Sequence, residues 1–171
     1  VLVTERDFHD LTYAYLERAH ADNIVYAELM FDPQAHADRG VGFETVIEGI
    51  HAGQTTAEES LGIHSQLILS FLREKSVESA MEYLEKGLRY RDWITGVGLD
   101  SDETDHPPRK FADVFRRSRS EDLKLTAHCG PDVDGVVNNI WQCVSEIEVD
   151  RIDRGVNAVV DTALVDTIRD K

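Results

Sequence analysis

Strand-like and helix-like stretches alternate along the whole chain, and no other feature of the sequence restricts the fold as much. β-prone runs recur about every 30 residues, each closed by turn residues. They are Ile24–Phe31 (IVYAELMF, stopped by Asp32-Pro33), Ile63–Phe71 (IHSQLILSF), Ile94–Leu99 (ITGVGL), Lys124–His128 (KLTAH, followed by Gly130-Pro131) and Asp150–Gly155. Between them lie helical patterns. The first spans Thr4–Asn23, with Phe8, Leu11, Tyr15, Leu16 and Ala19 at steps of three and four, Thr4 as N-cap, and Glu5 and Asp7 in the first turn. Others follow at Phe43–Ser60, at Ser76–Tyr90 with Ala80, Met81, Leu84 and Leu88 on one face, at Lys110–Ser120, at Asn138–Glu146 and at Ala163–Asp170. This rhythm predicts an α/β protein whose parallel strands alternate with helices, as a sheet or a (β/α) barrel. No repeat and no low-complexity linker interrupts it, so residues 1–171 are expected to form a single domain.

A parallel sheet aligns the C-terminal ends of its strands, where α/β proteins bind ligands. The polar residues of this chain gather there: Asp32, Asp100 to Glu103, His128, and Asp153 with Arg154. Any one of these carboxylates is more often a cap or a loop charge, and a lone strand-end histidine is more often bonded to a neighbouring carbonyl. Together they point to a site.

Composition excludes several classes. With 42% hydrophobic and 30% charged residues, the 171-residue chain has the profile of a soluble globular protein. No apolar run approaches the roughly 18 residues of a membrane span. The opening VLVTERDFHD has no basic-then-hydrophobic signal pattern. Two cysteines, Cys129 and Cys143, are too few for a disulfide framework and suit a reducing, cytoplasmic setting. A formal charge of −15 would repel a phosphate backbone, so nucleic acid is not expected as a partner, and with no spanning run neither is a membrane.

Four motifs, in order, carry a family resemblance. Tyr26-Ala27-Glu28 through Phe31-Asp32-Pro33-Gln34-Ala35-His36, with Arg39-Gly40-Val41 and Phe43-Glu44-Thr45-Val46, resembles the second strand of the adenosine and adenine deaminases. Gly96-Val97-Gly98-Leu99-Asp100-Ser101-Asp102-Glu103, with Pro107-Pro108 and Lys110-Phe111, is similar to their fourth strand and its loop. Leu125-Thr126-Ala127-His128 resembles the strand bearing a zinc-binding histidine, and Val149 to Asp153 with Gly155-Val156-Asn157 resembles the sixth strand. The adenine deaminase branch is the most similar.

The resemblance implies a partial (β/α)8 TIM-type barrel, covering the second to sixth strands. It implies zinc-dependent hydrolytic deamination of adenine or adenosine to hypoxanthine or inosine plus ammonia. His128 becomes the metal ligand, and Ser101 and Asp102 the substrate-binding residues. In that chemistry zinc brings the pKa of its water to about 7; a carboxyl supplies a proton to the ring and a second histidine orients the attacking oxygen. The cytidine-type signature, H-x-E with P-C-x-x-C, is absent.

The chain departs from the family pattern at the reacting groups. The first-strand His-x-His pair and the eighth-strand Asp have no counterpart here, leaving His128 as the one ligand. The family's proton-donating Glu is replaced by Pro131, with Asp132 and Asp134 as candidate substitutes, and its histidine by Arg154. A guanidinium stays protonated at physiological pH and cannot act as a neutral base. A metal site of different composition would draw on His36, His64, Asp100 or Cys129. Cys129 itself, next to His128 on a strand, is expected to face the other way and pack on a helix. The alternative function is a non-catalytic or truncated barrel relative that binds a small molecule or a partner chain. Five strands leave open edges, so an oligomer that covers them is expected.

Overall fold

The computed structural model describes residues 1–130 and 134–171. Along it run α1 (Glu5–Ala21), β1 (Tyr26–Phe31), α2 (Gln34–Ala37), α3 (Phe43–Leu61), β2 (His64–Leu72), α4 (Val77–Leu88), β3 (Ile94–Asp100), α5 (Ala112–Ser120), β4 (Lys124–Cys129), α6 (Val136–Gln142), β5 (Arg151–Arg154) and α7 (Thr162–Arg169). Short 3-10 turns at Pro108–Phe111 and Val156–Val160 and a π turn at Cys143–Ile147 complete the described elements. The strands form one sheet in the order β1-β2-β3-β4-β5, and the registered pairs are parallel. The predicted βα rhythm is therefore the observed one, and the fold is a partial (β/α)8 barrel.

The chain divides into two compact units, Val1–Leu69 with Lys86–Thr95, and Ser70–Glu85 with Gly96–Lys171. In the first, α1 starts on a capping box: the Thr4 hydroxyl accepts from the Asp7 N–H, and Asp7 Oδ2 accepts from the Thr4 N–H at 2.8 Å. The Thr4 N–H, and then the Val3 N–H, donate to the Asp7 carboxyl and hold it below the usual carboxylate range. α1 buries Phe8, Thr12, Leu16 and Ala19. Leu11 and Tyr15, expected on that face, are 54% and 51% exposed.

The face is chosen by α3. A Cβ on Gly49 would lie 2.5 Å from Glu5 O and 2.7 Å from Phe8 Cβ, and one on Gly53 would lie 2.7 Å from His9 O. These glycines and Ala57, four residues apart, let α1 come closer than any larger side chain permits. Leu16, Ala19, Ala57 and Ile63 then close a core under β1 and β2, which pair from Tyr26↔His64 to Phe31↔Leu69.

The second unit is built on β3, β4 and β5, registered Gly96↔Lys124 and Thr126↔Arg151. A Cβ on Gly96 would come within 2.7 Å of Lys124 O, so the glycine lets those two strands approach. In β4 the pleat sends Leu125, Ala127 and Cys129 one way and Thr126 and His128 the other. Cys129 packs on the helical side as expected, its Sγ 3.7 Å from Cys143 Sγ. Contact with Cys129, and then burial, push the Cys143 thiol up. After β5, Val156, Val159 and Val160 are exposed, and Ile152, Ala158, Val165 and Ile168 line a cavity of about 760 Å³.

Candidate functional site

Within the second unit, three strand ends bring polar groups together. His128, the next-to-last residue of β4, is partly buried, with Nδ1 4.0 Å from Asp153 Oδ2 on β5. Asp153 is itself held: its Oδ2 accepts from the Thr126 hydroxyl at 2.7 Å, and its Oδ1 from Arg151 Nε at 3.0 Å. Neighbouring parallel strands and a period of two put Thr126, His128 and Asp153 on one face. His128 Nδ1 is buried without a hydrogen-bond partner among the described residues. A carboxylate facing a ring nitrogen is how a protein fixes the tautomer of a metal-binding histidine.

Ser101 and Asp102 follow β3 in an exposed loop. Ser101 has φ 73°, a left-handed conformation that serine adopts at a cost. Asp102 Oδ1 accepts the Thr104 N–H at 2.9 Å, and this bond holds its carboxyl below the usual carboxylate range. Glu103 turns inward instead and is buried. Its Oε1 accepts the Gly130 N–H at 2.6 Å, and its Oε2 lies 3.1 Å from Arg73 Nη1. Arg73 follows β2 and is the one fully buried cation among the described residues. Sequence reasoning missed it, although it stands at a strand end like the others.

Arg154 ends β5 with φ 70° and is exposed. Its Nη1 would be 3.7 Å from a Cβ on Gly130, so its charge sits close to the end of β4. Asp153 draws its ion pair from Arg151. Pro131 and Asp132 lie outside the described residues. Asp134 is exposed in the turn before α6. His36 and Asp32 belong to the first unit, where the His36 ring meets Phe8 edge-on, and burial lowers its pKa. His64 is exposed and bonded to Glu58.

The group implied for this site is zinc, and a catalytic zinc takes three protein ligands. His128, with its aligned carboxylate, has the form of one. Among the described residues no cluster of three histidine, cysteine or carboxylate side chains completes a set. The residues described here therefore do not by themselves make a zinc site.

The adenosine deaminase family model matches residues 1–171. The chain belongs to the adenosine deaminase family. It is 47% identical over 171 residues to an adenine deaminase of Marinomonas sp., covering 100% of this chain and 50% of that protein. It is 49% identical over 168 residues to the Vibrio parahaemolyticus adenine deaminase, covering 98% of this chain and 49% of that one. Among solved structures, adenine deaminase from Arthrobacter aurescens superposes with TM-score 0.91 at 41% identity, over 96% of this chain and 50% of that one. An amidohydrolase from Burkholderia ambifaria, with bound Zn, superposes with TM-score 0.92 at 28% identity, over 99% of this chain and 47% of that one. The chain thus spans about half the length of the family members it matches.

Proposed function

We propose that this protein is a purine deaminase acting on adenine or adenosine. It would exchange the ring amino group for oxygen from water and release ammonia. The observation that carries the reading is the His128–Asp153 pair on adjoining strand ends, in a chain 47% identical throughout to an adenine deaminase. In this reading His128 is a metal ligand oriented by Asp153, and Ser101 and Asp102 face the purine. Zinc is the proposed metal, on the precedent of the Burkholderia relative's bound Zn; its remaining ligands would come from outside the described residues. Arg154 places a fixed positive charge at the family's histidine position, where it opposes a cation by Coulomb repulsion.

Proline provides no proton at 131, so a carboxylate such as Asp132 or Asp134 would have to serve. General acid catalysis is worth about 10²–10⁴-fold, so turnover slower than in a relative that keeps Glu and His is expected. We place the protein in the cytoplasm on its cysteine usage, and propose a second chain over the apolar β5 end. The test is ammonia release from adenine and from adenosine by the full-length polypeptide, alone and with Arg154→His and Pro131→Glu together. Turnover in the restored form that a chelator abolishes supports the reading. No turnover of either purine in both forms overturns it. Residues 1–171 alone, with one ligand, are expected to hold no zinc through dialysis and to release no ammonia.

A further inference from the structure

We propose that Arg73 and Glu103 are positioning residues, which fix the direction of His128 and hold the Ser101–Asp102 loop to the same strand end. The roles of His128, Ser101 and Asp102 rest on the reading above; the contacts rest on geometry alone. The Arg73 backbone N–H donates to Asp100 O at 3.1 Å. Its side-chain Nε donates to His106 O at 2.9 Å, and Nη1 donates to His128 O at 2.9 Å. Nη1 also pairs with Glu103 Oε2 at 3.1 Å, and Glu103 Oε1 takes the Gly130 N–H at 2.6 Å. One residue therefore touches the loop at 100, 103 and 106 and reaches β4 as well.

The grip on β4 is two-sided. The guanidinium holds the carbonyl of His128, and the carboxylate holds the N–H of Gly130. Pinning these two groups fixes the peptides on either side of Cys129, and with them the direction in which His128 leaves the strand. Both bonds are charge-assisted, which makes them shorter and stronger than neutral ones. Gly130 fits the same scheme, since a Cβ there would stand 3.0 Å from Glu103 Oε1. Lys110 Nζ adds bonds to the Arg73 and Lys75 carbonyls at 2.9 Å and steadies the base of the arrangement. A pair that served cohesion alone could be exchanged for apolar residues without consequence at His128. This pair spends its hydrogen bonds on the backbone of the site.

The test compares Glu103→Gln, which keeps shape and an acceptor oxygen, with the double variant Arg73→Met/Glu103→Leu, which removes both charges so that neither is left unpaired. Amide hydrogen exchange and the His128 imidazole resonances are read on the folded protein, with no metal or substrate added. Glu103→Gln should speed exchange of the Gly130 amide about tenfold, and the double variant about a hundredfold, by loss of the charge-assisted bonds. The His128 resonances should shift in both, while the Val97 and Leu125 amides stay protected. In the full-length protein kcat for adenine should fall at least about tenfold in Glu103→Gln, more than KM changes. Unchanged Gly130 exchange and unchanged His128 resonances in the two folded variants would overturn the proposal. If exchange and resonances respond while neither the parent nor the Arg154→His/Pro131→Glu form deaminates either purine, the positioning stands and the deaminase reading falls.

Discussion

In the first unit two helices approach backbone to backbone, and in the second a loop and a strand end are joined through buried charged side chains. α1 meets α3 across Gly49 and Gly53, and what holds them is the absence of side chains together with the apolar surface around Leu16 and Ala57. The β3 loop meets the end of β4 through Arg73 and Glu103, buried charges bonded to carbonyls and an N–H. The first arrangement asks only for small residues at a spacing of four. The second needs one guanidinium and one carboxylate with all their atoms in place. Apolar contact tolerates small slips; a buried ion pair that loses a partner leaves a charge with no solvent. A site that must hold a histidine in one direction gains from the second kind.

Removing one charge should therefore do more damage than adding one methyl group. Arg73→Met strands the Glu103 carboxylate and should destabilise the protein by about 3–5 kcal/mol, measured by urea unfolding. The double variant Arg73→Met/Glu103→Leu should recover most of that loss. If the single variant costs under about 1 kcal/mol, the level of a surface pair, the two regions are not held by different means.

Gly49→Ala is the matching change in the other region. The added Cβ meets Glu5 O, a backbone atom that cannot swing aside, so overpacking of about 1–3 kcal/mol opposes a helix-propensity gain of about 1 kcal/mol. A net loss of about 1 kcal/mol in the same urea titration is the expected outcome. A gain in stability would show that α1 has room to move.

The two regions also differ in how far they could be read from residues alone. Periodicity located α1 at Thr4–Asn23 against an observed Glu5–Ala21, and its Thr4 cap is real. It misjudged the face, counting Leu11 and Tyr15 as core, because the partner is chosen by glycines on α3 that carry no hydrophobic signal of their own. Likewise His128 and Asp153 were visible as strand-end residues, yet Arg73 was not. Arg73 precedes Glu74 and Lys75 and looks like the start of a charged loop, while its carbonyl partners lie 33 and 55 residues further along. Long-range bonds to backbone atoms leave no pattern in sequence, since any residue type supplies a carbonyl. The short α2 also went unread, because Asp32-Pro33 signals a stop and the single turn after it is too short for a period.

Smaller tests lie at the helix starts, where each unit uses an exposed carboxylate or hydroxyl. Thr4→Ala removes the α1 cap and should cost about 1 kcal/mol, seen as a lower thermal midpoint. An unchanged midpoint would mean that the contact with α3 alone sets the position of α1.

The smallest effect concerns Asp161, and pH exposes it. Its Oδ1 accepts the Ala163 and Leu164 N–H groups that begin α7, at 3.0 and 3.1 Å, and its Oδ2 accepts the Trp141 indole N–H at 2.8 Å. The Trp141 bond first, then those to the backbone, lower its pKa from the ordinary 3.8. A carboxyl whose folded pKa is depressed stabilises the fold above its unfolded value and loses that contribution as pH falls through the folded value. Asp161→Asn keeps an oxygen acceptor but no charge, so its stability should not follow this titration. The parent should thus melt higher than Asp161→Asn at pH 6, and the gap should close below about pH 4, with Trp141 fluorescence shifting over the same range in the parent alone. A gap that stays constant down to pH 2 would mean that shape rather than charge begins α7. The carboxylates of the second unit would then act by charge only where they are buried, as Glu103 is.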